Sequence, residues 1–377
     1  MSKKKQIINP VTKKNVFIST ITITDSRIWQ NGLFQNIFFL YKLFENNGYY
    51  PYLLLGEKKP DKDCKELDNF RTICIYDYQK SPFPLYVYIE MALSFTEDAR
   101  LLFKKNGAKI LKLHLGNNLN FDIENTIFTT DESNNKICNA PGKLDYVLLS
   151  PHYDFHKEYV SVIHGTYPQQ KIAPYVWDSC LIGDLENIHV WKENGPYAIT
   201  IIEPNISFQK CSLVPIMICE LFYRNNPGTF EGAIVVNGYN MTKHEYFNET
   251  ILGNLDIHRK GKIHLIKRCA LRQICQTFKS NIVILHAVNN DYNYVFLEHL
   301  LMGFPVLHNY ATLKQYGYYY EGDNILAGYK LLETVINFHK LNIKKYKERN
   351  LPLLQKFKID NPENIIEWKK ILDMKIV

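Results

Sequence analysis

The sequence predicts an α/β protein of two Rossmann-like domains facing each other across a cleft, with a C-terminal helix returning to the first domain. Three observations predict the two domains. Short aliphatic or β-branched runs alternate with amphipathic segments along most of the chain, as strands feeding helices do in parallel sheets. The alternation comes as two series, 1–178 and 197–345, separated by a weakly patterned stretch at 179–196 and followed by helical segments at 346–377. The loops after the apolar runs are rich in Asn, Asp and Gly, and open α/β sheets bind ligands at those carboxyl ends. A chain of 377 residues also exceeds one ordinary core.

In the first series, residues 15–24 (NVFISTITIT) predict a strand and 25–32 a polar loop. Leu33, Ile37, Leu40, Tyr41 and Phe44 fall at helical spacing, with Gly48 just past the end. Asn31 and Gly32 stand at the mouth of that helix. Gly32 permits close backbone approach by a ligand or a neighbouring domain. Trp29, Asn31, Gln35 and Asn36 are suited to carbohydrate, since amides bond hydroxyls and an indole stacks on a sugar face. Further strands are expected at 52–55, 72–76, 84–89, 109–115 and 144–149, with helices at 96–106 and 154–164. Residues 171–178 read as the last strand of the first domain. His114, Gly116 and Asn117 lie at the carboxyl end of the 109–115 strand. His114 there is either structural or a polar acceptor contact and general acid/base.

The second series opens with a strand at 197–202, a loop at 203–210 and a helix at 213–223. Strands at 231–237 and 262–266 and a short helix at 270–278 lead into 282–285 (IVIL). A polar loop containing Asn289, Asn290 and Asp291 follows, then a helix at 294–302 starting at Tyr294, with Gly303 as its stop and a strand from Pro305. Glu298, near the start of that helix, can accept paired hydrogen bonds from a ribose diol, while the helix N–H groups meet phosphates. Helices are expected at 331–339 and 340–350, with Pro352 as a break, and from 361 onward.

Composition narrows the classes. With 46% hydrophobic and 22% charged residues the chain is an ordinary folded protein. The net charge of +7 is modest and no Lys/Arg stripe marks a nucleic-acid face; Lys3–Lys5 read as a solvated tail. Eight cysteines, Cys138 and Cys275 among them, make no CxxC pair, so reduced thiols and no metal site are expected. No apolar run approaches 18 residues, and a cytoplasmic protein (of the host cell, if viral) is expected. No GxGxxG, Walker or serine-elbow motif occurs.

The second series resembles the C-terminal domain of group 4-like retaining glycosyltransferases of the GT-B fold. The resemblance rests on the 271–278 helix, the 282–285 strand, Asn289 to Asp291, Glu298, Gly303-Phe-Pro305-Val306 and Tyr320-Glu321-Gly322-Asp323-Asn324. Residues 29–36 and 113–117 are similar to an uncharacterised bacterial and viral GT-B-like family. The resemblance implies transfer of a sugar from a nucleotide diphosphate donor, UDP- or GDP-linked, to an acceptor (glycan, protein or small molecule) on the first domain. It implies donor contacts from Asn205, Lys210, Arg268, Asn289, Asn290, Asp291, Tyr294 and Glu298. Lys210, Arg268 and helix N–H groups would stabilise the leaving diphosphate without a metal or further cofactor. The chain departs from the pattern twice: Asn290 stands where the family has the first Glu of E-x7-E, with Asp291 as its substitute, and Pro204-Asn205 where an Arg is usual. Two alternatives accompany this reading, a catalytically inactive GT-B-like binding or scaffold protein and a glycosyltransferase of nucleic-acid bases.

Overall fold

The computed structural model describes residues 13–57, 64–128, 144–183, 196–271, 273, 274 and 281–375. The first sheet holds β1 (Asn15–Ser19), β2 (Tyr50–Leu55), β3 (Thr72–Cys74), β4 (Val87–Glu90), β5 (Lys109–His114), β6 (Tyr146–Leu149) and β7 (Gln170–Ile172). The second holds β8 (Tyr197–Ile202), β9 (Phe230–Val236), β10 (Ile263–Ile266), β11 (Asn281–Leu285), β12 (Val306–His308) and β13 (Tyr318–Tyr319). Their orders are β3-β2-β1-β4-β5-β6-β7 and β10-β9-β8-β11-β12-β13. Every strand pairing among the described residues is parallel. Each sheet therefore winds outward in both directions from its first strand. The switch points lie between β1 and β4 and between β8 and β11, where such sheets open a crevice.

The helices of the first half are α1 (Asp25–Ile28), α2 (Gly32–Asn46), α3 (Ile75–Lys80), α4 (Glu97–Lys105), α5 (Asn118–Phe128) and α6 (Lys157–Ile163). Those of the second are α7 (Leu213–Asn225), α8 (Asp256–Arg259), α9 (Tyr294–Met302), α10 (Ile325–Phe357) and α11 (Pro362–Asp373). Local chemistry sets the ends of the two that matter most. Asn31 caps α2 by accepting from Leu33 N at 3.0 Å, and Asn293 caps α9 by accepting from Val295 N at 3.0 Å. Gly303 stops α9 at φ 82°, a left-handed conformation that glycine adopts without strain.

Several sequence expectations change. The first strand ends at Ser19, and α1 takes up part of the expected loop. The 72–76 strand shortens to β3 and runs into α3, and α5 follows β5 where the sequence reading placed no element. Residues 173–178 are not a strand of the sheet; beyond β7 the chain crosses the domain, and Trp177 bridges Lys358. Pro352 does not break a helix. A single helix, α10, runs through it. The missing hydrogen bond and ring clash disfavour this by about 3 kcal/mol, and burial of Leu353, Leu354 and Phe357 on the next turn opposes that penalty. Residues 184–195, most of the expected linker, and 275–278 of the expected short helix lie outside the described residues, as do Lys3–Lys5, Cys138 and Cys275.

The chain's last helix lies against the first sheet. Trp368 is 1% exposed, packs edge-on against Phe44 at 5.3 Å, and donates its Nε1–H to Pro174 O at 3.3 Å. Asp373 pairs with Lys14 at 2.9 Å and accepts from Tyr49 and Tyr86, while Lys109 donates to Leu372 O and Met374 O. One apolar cluster joins β1, α2, α9 and α11.

Candidate functional site

A cavity of about 380 Å³ opens between the carboxyl ends of the two sheets. Eleven sequence-predicted residues line it: Trp29, Asn31, Gly32, Gln35, Asn36 and Gly116 from the first half, and Lys210, Arg268, Asn290, Tyr294 and Glu298 from the second. Five others, His114, Asn117, Asn205, Asn289 and Asp291, stand outside the lining.

The helix starts α2 and α9 meet at the cavity floor. A Cβ on Gly32 would lie 3.3 Å from Tyr294 Cδ2, so the glycine serves close approach of the other half. Asn36 Nδ2 donates to Tyr294 OH at 2.7 Å, and that hydroxyl donates to Val176 O at 2.9 Å. Tyr175 stacks on Tyr294, centroids 5.0 Å apart. Tyr294 therefore spends its hydroxyl joining the halves. Glu298, one turn further along α9, is 5% exposed and accepts from Gln35 Nε2 at 3.4 Å. Burial pushes its carboxyl up to about 7, against the opposing Gln35 contact.

The residues outside the lining have other partners. His114 is buried with Nε2 at 3.0 Å from His164 Nε2, and burial holds its pKa far below the ordinary imidazole range. Neither imidazole of that pair belongs to the cavity lining. Asn117 caps α5 by accepting from Asn120 N and donates to Asn289 O at 3.1 Å, tying the halves together. Asn205 and Asn289 both have positive φ, 53° and 52°, a conformation asparagine tolerates. Asn205 serves its own turn, accepting from Ser212 N at 2.8 Å. Asp291 Oδ2 accepts from Thr312 N and Oγ1 at 2.9 and 2.8 Å. Asn290 accepts from Tyr153 OH at 2.7 Å.

Sequence reasoning missed Glu203 and His152, which also line the cavity. Glu203 is the first residue after β8, and its place at a strand's carboxyl end was the available signal. Burial raises its carboxyl to about 8, with Lys210 opposing. Burial likewise lowers Lys210, against Glu203 and Asp291. His152 stacks on Tyr292 at 4.2 Å, and burial followed by the Lys210 charge keeps it neutral. Away from the cleft, ligand atoms of Asp25, Cys64 and Glu66 lie within 4.8 Å of one another. Burial and Glu66 hold that thiol protonated, the reverse of a thiolate ligand.

Raised carboxyls tie stability to pH with a definite sign. The folded state retains protons on Glu298 and Glu203 that the unfolded chain releases near its ordinary value of about 4.3. Their contribution is thus fully present below that pH and lost as pH rises through about 7 and about 8. Glu298→Gln removes its share. Urea denaturation at pH 5 and pH 9 is expected to show the variant gaining roughly 3 kcal/mol on wild type between the two; an unchanged difference contradicts the burial argument.

Comparisons place this geometry. Anabaena HepE in complex with UDP-glucose is 10% identical with a TM-score of 0.58, matching 95% of this chain and 99% of that one. An S. aureus TarM variant in complex with fondaparinux, alpha-GlcNAc-glycerol and UDP is 9% identical with a TM-score of 0.60, covering 96% and 100%. The pneumococcal O-GlcNAc transferase GtfA with UDP and GlcNAc is 9% identical with a TM-score of 0.58, covering 96% and 99%. The fold is GT-B, that of nucleotide-sugar glycosyltransferases. No curated protein matches the chain. A family model described as a protein of unknown function, DUF2827, matches residues 16–372, and the chain belongs to that family.

Proposed function

We propose that this DUF2827 protein is a glycosyltransferase that moves a sugar from a nucleotide diphosphate donor to an acceptor held by the first half. One observation carries the reading: buried Glu298 faces a cleft whose cationic lining is Lys210 and Arg268. The carboxylate suits a ribose diol, and the two cations suit the diphosphate. As the glycosidic bond breaks, negative charge grows on the leaving diphosphate. Each preorganised cation then contributes on the order of 3 kcal/mol to the transition state. Trp29, Asn31 and Gln35, at the opposite wall, suit a polyhydroxylated acceptor. The reading takes no cofactor beyond the donor. UDP is the first nucleotide to test, since HepE, TarM and GtfA are each described with UDP or a UDP-sugar. Retention of anomeric configuration is the expected outcome. No described helix is long and apolar enough to cross a membrane, and the six cysteines among the described residues, all free, suit a reducing cytoplasm.

A second reading, a sugar-nucleotide binder without catalysis, is favoured by Asn290, whose side-chain oxygen is taken by Tyr153. Release of nucleoside diphosphate from any of UDP-, GDP-, ADP- or CDP-sugars counts against it. Failure of all four classes to shift the melting temperature overturns both readings. Glu298→Gln is expected to weaken nucleotide binding by about 1.5–3 kcal/mol, roughly 10- to 150-fold, through lost charge-assisted bonds. The diol needs the ionised carboxylate, so wild-type affinity is expected to rise between pH 6 and 8 as Glu298 passes its value of about 7. In the variant that rise disappears.

A further inference from the structure

Among the described residues, the cleft is lined by two carboxyls, Glu203 and Glu298. If Glu298 takes the ribose, Glu203 needs a different partner. The carboxyl is 0% exposed and Oε1 accepts from His286 N at 2.7 Å. Its backbone oxygen accepts from Asn205 Nδ2 and Asn237 Nδ2, both at 3.1 Å. The second carboxyl oxygen, Oε2, has no hydrogen-bond partner. The titratable groups that act on it or face it are Lys210, Cys211, Tyr310 and Tyr320, with His286 reaching it through its backbone N–H. Lys210 is close enough to oppose the upward shift, yet the two form no ion pair. A buried carboxyl oxygen left in this state carries a desolvation penalty that a ligand group can relieve.

We propose that Glu203 recognises the sugar of the donor, with Oε2 hydrogen-bonding a hydroxyl of the residue to be transferred. The proposal rests on the donor reading above and deepens it. A sugar hydroxyl can donate to Oε2, which supplies the bond that this buried acceptor lacks. A phosphate oxygen would be repelled by the ionised form and belongs beside it, on Lys210. Hydroxyl next to phosphate is the pattern of a glycosyl diphosphate. In the neighbouring loop, Asp291 Oδ2 already accepts from Thr312 and Asn290 Oδ1 from Tyr153. The sugar-recognising carboxyl thus comes from the end of β8 and not from the loop before α9.

The test compares UDP, GDP, ADP and CDP with their glucose conjugates by calorimetry, on wild type and Glu203→Gln. Gln keeps an Oε1 acceptor for His286 N and exchanges the Oε2 acceptor for an amide donor. The expected result is a loss of at least tenfold in affinity for the preferred glucose conjugate, with its free diphosphate bound within about twofold of wild type. Glu203→Asp, which keeps the charge but withdraws it by one methylene, is expected to give the same split. An unchanged conjugate affinity in both variants overturns the sugar contact and leaves the donor reading intact. Equal weakening of conjugate and free diphosphate also overturns it, since the residue then supports the cleft as a whole. A wild type that binds none of the eight compounds overturns the donor reading and this proposal together. Melting curves establish that each variant folds.

Discussion

Replacing Glu90 by Gln is expected to lower the unfolding free energy by about 3–5 kcal/mol, because it removes the charge shared by two buried cations. Glu90 ends β4 and is 0% exposed. It accepts from Arg100 Nη2 at 2.7 Å and Nε at 3.1 Å, from Lys112 Nζ at 2.9 Å and from Ser94 Oγ at 2.7 Å. Arg100 and Lys112 are themselves almost wholly buried, at 1% and 6% side-chain exposure. Burial alone would raise the Glu90 carboxyl, but Lys112 and Arg100 outweigh it and the net shift is downward. A lowered carboxyl contributes stability that is present above its unfolded value of about 4.3 and is lost as pH falls through the folded value. The variant therefore loses its stability at neutral pH and shows a flatter acid limb. Urea denaturation at pH 7 and pH 4 reads both effects; a loss below 1 kcal/mol at pH 7 contradicts the account. The exposed pair Lys370–Glu367 is the contrast, since its removal is expected to change stability by less than about 1 kcal/mol.

Trp368→Ala is the second large effect, again about 3–5 kcal/mol. The indole fills the space between α11 and α2, and its N–H satisfies Pro174 O. Truncation opens a cavity and leaves that carbonyl unpaired. Trp368→Phe keeps most of the volume and loses the bond, so it is expected to fall between wild type and Ala. Because Trp368 is not part of the cleft lining, nucleotide affinity of the folded variant should stay within a few-fold of wild type. Limited proteolysis should cut first near α11. Wild-type resistance there in Trp368→Ala would show that the helix is held by other contacts.

How much of this was legible depends on whether the signal is local. The limits of β8 and α9 follow from the sequence, since YAITII is a bounded apolar run and α9 lies between a capping Asn and a stopping Gly. Glu298 was legible for the same reason, being fixed to a well-marked helix. The β5 strand was found as KILKLH, yet nothing local says that Lys112 points into the core toward a carboxylate 22 residues earlier. Asp291 and Asn205 enter as donor contacts through the family resemblance, and one oxygen of each accepts from a backbone N–H that only the folded chain brings near. Glu203 went unnoticed because its interest lies in an unpaired atom, and pairing is a property of the folded state. Pro352 was misread as a break because the burial beyond it is tertiary.

The return of α11 to the first sheet also bears on synthesis. Lys14 and Asp373 meet across 359 positions of sequence. A ribosome delivers the first sheet early, at a stage when its partner helix does not yet exist. The surface under Phe44 and Tyr49 then waits, uncovered, through the making of the whole second half. Contacts of such long range are slow to form, and exposed apolar faces attract other chains meanwhile. The half that is made first is the last to be completed, and the nascent chain is most exposed to aggregation during that interval.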